Sequence, residues 1–395
     1  MSRLKSQSAH KLAIFELITH FNRLIMYNWQ FPSWPNFNYN VQGIQSMILT
    51  FAQETGEILG LLQGLSKELK DETLMQLMLT EAIKTSEIEG EFISREDVIS
   101  SIRNNLGWNK TLVSIKDKRA SNVTALMLEV RKSFDQPLTL EMLQAWHRTL
   151  MAHADHVSPG EWRKGTAAMQ IVSGTYGREV VHFEAPPSSD VAREMEAFVH
   201  WFNTVSFPVK GEMAEAVLKA AIAHLYFESI HPFEDGNGRI GRAIAELALS
   251  QSLGRPVMLS LSKIIEQHKK TYYDALKEAQ RSMEISAWIE YFASVILEAQ
   301  RDARNMVHFT LMKAKFFDSY KNDLNERQLK AINKMVEKGT EGFEGGMTAK
   351  KYVSITKTSK ATATRDLLAL QTLGVLVQQG AGRSVKYHLN MNPRL

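Results

Sequence analysis

Apolar residues recur every three to four positions along most of this chain, and that spacing predicts a mainly α-helical protein. Ile44, Met47, Ile48, Phe51, Ile58 and Leu61 keep the period within a helical stretch from Val41 to Leu106. A second helix is predicted from about Asp71 to Glu89, and Ser94 with Asp97 opens a third in the manner of a capping box. Two more cover Lys116 to Phe134 and Leu140 to Ala152, the latter capped by Thr139. The period fails between Arg163 and Pro187. There Met169–Ser173 and Arg178–Phe183 read as two strands around a turn, Gly174-Thr175-Tyr176-Gly177, and Ala185-Pro186-Pro187 ends the hairpin. Helices resume to about Asn203, then over Glu212–Ser229, Ile240–Leu253, Lys263–Arg281 and Ser286 to about Tyr320.

Both ends depart from this pattern. Met26 to Tyr39 is dense in aromatics and proline, so it is expected to be extended, with its rings packed across helices. No Lys or Arg is interleaved there, which argues against a nucleic-acid stacking surface. At the other end, Glu326–Glu337, Thr348–Val353 and Ser359–Leu373 predict three short helices. Val375–Val377 and Ser384–Leu389 follow as strands around Gly380-Ala381-Gly382, and this order predicts a small winged helix-turn-helix. The expected organisation is an N-terminal extension (1–25), an N-terminal helical region (26–110), a helical core with a β-hairpin (111–300), a linker helix (301–325) and the winged helix-turn-helix (326–395).

Composition narrows the function. The 395 residues contain no cysteine, which excludes disulfides, thiolate metal sites and cysteine nucleophiles and fits a reducing cytoplasm. No apolar run approaches the ~20 residues that span a bilayer, so no membrane partner is expected. In residues 1–25, Glu16, His20 and Arg23 interrupt a patchy apolar stretch behind Lys5 and Lys11, which does not read as a signal peptide. The net charge of +4 is uneven: Glu326–Leu395 carries twelve Lys/Arg against five Asp/Glu, leaving the rest of the chain slightly acidic. Lys357, Lys360 and Arg365 fall on or beside the expected recognition helix, and Arg383 and Lys386 in the wing, so this module has a DNA or a protein partner of its own in view.

The densest chemistry lies in twelve consecutive residues, His231-Pro232-Phe233-Glu234-Asp235-Gly236-Asn237-Gly238-Arg239-Ile240-Gly241-Arg242. An imidazole titrates near working pH, so His231 can take a proton from an attacking hydroxyl. Asp235 offers hard oxygen ligands for Mg²⁺, which reaches proteins through one or two carboxylates plus phosphate oxygens. Gly236 and Gly238 let backbone N–H groups approach a phosphate, and Asn237 adds a side-chain donor. Helical sequence follows, so the turn sits at a helix N-terminus that favours anions. Arg239 and Arg242 are three apart and share a helix face, within reach of one polyphosphate. Phe233 reads as the anchor of the loop.

This string resembles the signature of the Fic family, HxFx(D/E)GNGRxxR, with every defining position filled. The resemblance implies a Fic helical core with the hairpin as its flap, and AMP transfer from ATP to a Ser, Thr or Tyr hydroxyl of a protein, itself included. His231 would be the general base and Asp235 the ligand of Mg²⁺, with Mn²⁺ the alternative ion. Gly236, Asn237 and Gly238 would form the anion hole, with Asn237 on the α-phosphate, Arg239 on the β-phosphate and Arg242 on the γ-phosphate. Thr85-Ser86-Glu87-Ile88-Glu89-Gly90 is similar to the family's inhibitory motif, (S/T)xxxE(G/N). By that resemblance Glu89 pairs with Arg242, with Thr85 and Gly90 as the other fixed positions. The flap would align a target segment by β-augmentation, with Val172, Ser173 and Gly174 near the nucleotide. Tyr272 and Tyr273 resemble positions bordering the adenine, while relatives often carry Asn where this chain has Gln280. Many relatives also self-associate, which implies a homodimer.

Two other functions fit the same letters: a de-AMPylase using the same site with Glu89 orienting water, and a DNA-binding regulator whose core senses nucleotide. Three further features carry less. His153-Ala154-Asp155-His156 reads as surface capping, His224 as a satisfied core histidine, and His182 as a solvated strand position, with a part in target choice as the alternative.

Overall fold

The computed structural model describes residues 26–173, 180–337 and 339–391. The expected turn Gly174-Thr175-Tyr176-Gly177 and the N-terminal extension lie outside them, as does the Arg383 side chain. The chain is mainly helical and divides into two units, one of residues up to Gln53 together with Met78–Gln300, the other of Glu54–Leu77 together with Arg301 onward.

The centre of the first unit is a helix hydrophobic on all faces. The order of elements leading to it is α1 (Gln45–Gly64), α2 (Lys67–Ile88), α3 (Arg95–Asn105), α4 (Lys118–Lys132), α5 (Leu140–Met151), the hairpin β1 (Gln170–Ser173) and β2 (Val180–Glu184), α6 (Val191–Thr204) and α7 (Glu212–Ile230). In α7 fifteen of nineteen residues are buried, so it cannot be a surface helix. Its small residues (Ala216, Ala220, Ala223) let α8 (Asn237–Ser252) pack closely along it. Caps set the boundaries where the sequence places them: the Ser94 and Thr139 side chains accept from Asp97 N and Met142 N.

Several elements differ from expectation, some for a local reason. α8 begins at Asn237 rather than Ile240, because Gly236, at φ +78°, turns the chain directly into the helix. The predicted helix over 263–281 is two, α9 (Leu261–Gln267) and α10 (Lys269–Ala279), broken at His268 (φ −119°, ψ 35°) with neither Pro nor Gly to signal it. Across the break, Lys269 Nζ donates to Ile88 O at the end of α2. The aromatic segment contains a short 3₁₀ turn at Asn28–Gln30. Its rings do pack across helices: Trp34 meets Tyr226 edge-on at 4.9 Å, and Tyr27 meets Phe183 at 5.0 Å.

A buried polar cluster fixes α2. The Glu81 carboxylate accepts from Ser260 Oγ (2.7 Å), from Ser262 N (3.1 Å) and from Ser262 Oγ. Glu246, on α8, is pushed up to about 8 by burial first and by Glu81 second, with Arg131 acting the other way. Its folded pKa lies above its unfolded one, so between about pH 4.5 and about 8 the native state binds the extra proton. Stability contributed by this group is therefore lost as pH rises through that window. Glu246→Gln is expected to raise the melting temperature at pH 8 and leave it nearly unchanged at pH 5. Equal shifts at both pH values in thermal melts would reject the assignment.

The first unit closes with the start of α11 (Ser286–Tyr320). In the second unit, Ile58, Leu65 and Val307 form a small cluster, and Arg301 pairs with Glu54 at 3.0 Å. Then come α12 (Glu326–Val336), α13 (Ala349–Thr356), α14 (Lys360–Thr372) and an antiparallel ribbon of β3 (Leu376–Gln379) and β4 (Lys386–Leu389). Lys357, at φ +57°, ends α13, and Ser359 caps α14, so a three-residue turn separates the two helices. Tyr352, Phe316, Leu367 and Tyr387 lie in one core, and buried Asp366 takes Tyr352 Oη at 2.9 Å and Arg327 Nε at 3.1 Å. Among the described residues no helix is long and apolar enough to cross a membrane.

Candidate active site

His231 is the C-cap of α7 and sits in the left-handed region, at φ +50°. A non-glycine residue there is strained by roughly 1–3 kcal/mol and needs outside support. Arg163 supplies it: Nε donates to His231 O at 2.8 Å, Nη2 to Pro186 O at 2.6 Å and Nη1 to Ser188 Oγ at 2.9 Å, while its N–H donates to Pro232 O. Burial depresses the Arg163 guanidinium to about 10. Nothing in its sequence context marked this arginine.

The loop is closed from below by Phe233, fully buried and stacked on His147 at 3.9 Å. The Asn237 amide clamps it, Oδ1 accepting from Phe233 N (2.9 Å) and Nδ2 donating to Phe233 O (2.8 Å). The expected side-chain donor is thus turned inward, and the first-turn N–H groups of α8 remain for an anion. Asp235 Oδ1 accepts from Gly236 N at 2.6 Å, and Oδ2 lies 3.2 Å from His156 Nε2. Burial works to raise this carboxyl, but His156, Gly236 N–H and Arg239 together hold it below its usual range. Read from sequence as a surface cap, His156 therefore faces the site.

Both arginines of the loop are almost wholly buried and both meet carboxylates from just beyond α2. Arg242 Nη2 donates to Glu89 Oε1 at 2.8 Å and to Thr85 O at 3.1 Å, and Nε to Thr85 Oγ1 at 2.9 Å. Burial disfavours its charge, yet Glu89 opposite holds its pKa above the ordinary value. Glu89 also covers Gly238, where a Cβ would overlap Oε1. Arg239 Nη1 donates to Glu91 Oε2 at 2.9 Å, a pairing the sequence reading missed although Glu91 stands only two residues past Glu89. Gly90, at φ +78°, makes the turn that lets both side chains reach in.

A cavity of about 490 Å³ opens in front of this loop, a size suited to a nucleotide. Glu89, Val172, His231, Gly238, Arg242, Tyr272 and Tyr273 line it, as does His182. Tyr272 is buried, its hydroxyl 2.8 Å from His224 Nε2, whereas Tyr273 is 41% exposed. Gln280 borders the same space with its amide bonded to Glu228 O at 3.1 Å. Ser173 ends β1 opposite Val180, and Gly174 lies outside the described residues. Lys277, Asp274 and Glu228 line the cavity too and were not singled out by sequence.

A mainly helical fold with this loop at the head of α8 defines a class, and residues 137–249 match the family described as Fic/DOC. The chain carries a Fic/DOC family domain. Residues 27–108 match a second family, described as a domain of unknown function (DUF4172). Two relatives are each called "Protein adenylyltransferase Fic". That of Drosophila grimshawi is 29% identical over 157 residues, 40% of this chain and 28% of the relative. That of Culex quinquefasciatus is 30% identical over 157 residues and 27% of its own length. The matched span thus covers under a third of these relatives. A crystal structure of a Fic family protein from Desulfovibrio desulfuricans G20 aligns with a TM-score of 0.53 at 18% identity, over 91% of this chain and 99% of that one, a likeness of fold.

Proposed function

We propose that this protein is an autoinhibited adenylyltransferase that moves AMP from ATP to a hydroxyl of a protein. One observation carries the reading: a nucleotide-sized cavity is bordered by His231, by the N-terminus of α8 and by an arginine neutralised by Glu89. The target hydroxyl oxygen attacks the α-phosphorus, the bond from that phosphorus to the bridging oxygen of the β-phosphate breaks, and pyrophosphate leaves. His231 takes the hydroxyl proton. Backbone N–H groups of Asn237 and Gly238 at the helix N-terminus stabilise charge on the α-phosphate. Arg239, whose Nε is buried without a partner, holds the β-phosphate, and Arg242 the γ-phosphate.

A divalent cation fits the donor set. Asp235 is one ionised carboxylate, its Oδ2 beside the His156 ring, and Mg²⁺ held with phosphate oxygens asks for no more than one or two. Bound there, it would neutralise charge on the phosphates. The inhibited state follows from the same contacts, because a guanidinium engaged by a carboxylate cannot also hold a phosphate. Intact-mass measurement after incubation with Mg²⁺ and ATP tests the whole reading. A gain of one AMP unit in Glu89→Gly, absent from Glu89→Gly/His231→Ala, supports it. Loss of AMP from an AMP-modified protein, with no gain in any variant, would replace it with the reverse reaction.

A second reading concerns the C-terminal helices and ribbon, which we propose bind duplex DNA as a winged helix-turn-helix. Exposed Lys357, Lys360, Arg365 and Lys386 favour it. A gel shift by the full chain that weakens steeply with salt, and weakens further in Lys360→Ala/Arg365→Ala, is expected. No shift at low salt would reject it in favour of a protein partner.

A further inference from the structure

Behind His231 lies a carboxylate that the reaction scheme above does not use. Glu228 sits one turn earlier on α7, with its side chain 5% exposed and Oε2 at 3.7 Å from His231 Nδ1. Three buried atoms meet here without a hydrogen-bond partner: Glu228 Oε1, His231 Nδ1 and His224 Nδ1. Isolated buried polar atoms are costly, and a cluster of them in a site is a place where a contact tightens on substrate binding. Room for the carboxylate is made by Gly241, a position that the signature leaves free. A Cβ on Gly241 would overlap Glu228 Oε1 and come within 3.2 Å of the His224 ring.

We propose that Glu228 is a positioning residue for His231: its carboxylate takes the Nδ1–H of the imidazole, so that unprotonated Nε2 faces the cavity. The proposal rests on the AMP-transfer reading for its kinetic consequences, though not for the tautomer itself. A neutral imidazole has one donor and one acceptor nitrogen, and the acceptor at Nδ1 decides which is which. A base oriented by a third group is the general arrangement for such histidines. The carboxylate also stabilises the imidazolium formed when the hydroxyl proton arrives. Although burial works to raise its pKa, Glu228 is held below the ordinary carboxylate range by His231, His224 and Arg242, so it is ionised at neutral pH. Other groups facing this pair are Tyr272 from α10, Glu89 from beyond α2 and His182 from β2, with Arg163 on the His231 carbonyl.

Glu228→Gln is the test, made in the Glu89→Gly background. Glutamine keeps the shape, but its amide can donate to Nδ1 and force the proton to Nε2. The expected result is a kcat lower by about 10- to 100-fold with KM for ATP nearly unchanged. The acid limb of the kcat/KM profile should also move to lower pH, which loss of packing alone would not produce. Gly241→Ala, which displaces the carboxylate without removing it, should shift the limb in the same direction. Independently of turnover, ¹⁵N-histidine NMR of the full chain should find His231 protonated at Nδ1, with that preference weakened in Glu228→Gln. An Nε2-protonated His231 in the parent, or an unchanged tautomer and an unchanged limb in the variant, would overturn the proposal. If no variant transfers AMP, the NMR result still decides it, so failure of the transferase reading is told apart.

Discussion

Under the proposed reaction, His231→Ala is expected to lower AMP transfer by about 10²- to 10⁴-fold while ATP still binds. The cradle proposed for the phosphates consists of the N-terminus of α8, Arg239 and Arg242, none of which is hydrogen-bonded to the imidazole. Asn237 clamps the loop through Phe233, and Phe233 is held by His147, so removing the ring leaves the loop shape intact. What is lost is the acceptor proposed for the hydroxyl proton. Single-turnover labelling beside calorimetric ATP binding, both in the Glu89→Gly background, separates the two quantities. Retained labelling would remove His231 from the role of base, whereas lost binding would mean that the loop had collapsed.

Glu89→Gly is expected to raise transfer by about 10- to 100-fold. A charge-assisted hydrogen bond to a buried group contributes about 1.5–3 kcal/mol, and competition with the γ-phosphate is eased by that amount. Removing the side chain also clears Gly238, over which the carboxylate sits. Glu91 adds a second restraint, because it occupies Arg239 as Glu89 occupies Arg242. Glu91→Ala alone should raise the rate only a few-fold, since Arg242 stays engaged. Both carboxylates come from one turn, so the double variant should not be the product of the single effects. Initial labelling rates from intact-mass time courses measure all four proteins. Equal rates in wild type and Glu89→Gly would falsify the inhibitory assignment.

The sequence was most informative where chemistry is crowded into contiguous residues. The loop from His231 to Arg242 could be read from its residues and from its resemblance to the Fic signature, the motif from Thr85 to Gly90 from resemblance, and the capped helices from spacing. What escaped depends on residues distant in the chain that meet only after folding. Arg163 reaches the His231 carbonyl across 68 positions, and Lys269 reaches α2 across 181. The break at His268 has no Pro or Gly to announce it, and His156 gained a place beside Asp235 from a stretch that looked like a surface cap. Glu91 and Glu228 were close to known motifs in sequence, yet a carboxylate beside a motif has no signature of its own until its distance to a partner is known.

The support that Arg163 gives to the left-handed His231 bears on how such loops could be moved between proteins. A graft carrying all twelve residues into a new scaffold would reproduce the letters without the guanidinium that holds the carbonyls of Ile230, His231 and Pro186. Its imidazole would relax toward an ordinary backbone geometry and lose its aim. The transplantable unit is therefore the loop together with the segment around Arg163 and the chain at Pro186 and Ser188, pieces that no single stretch of sequence contains.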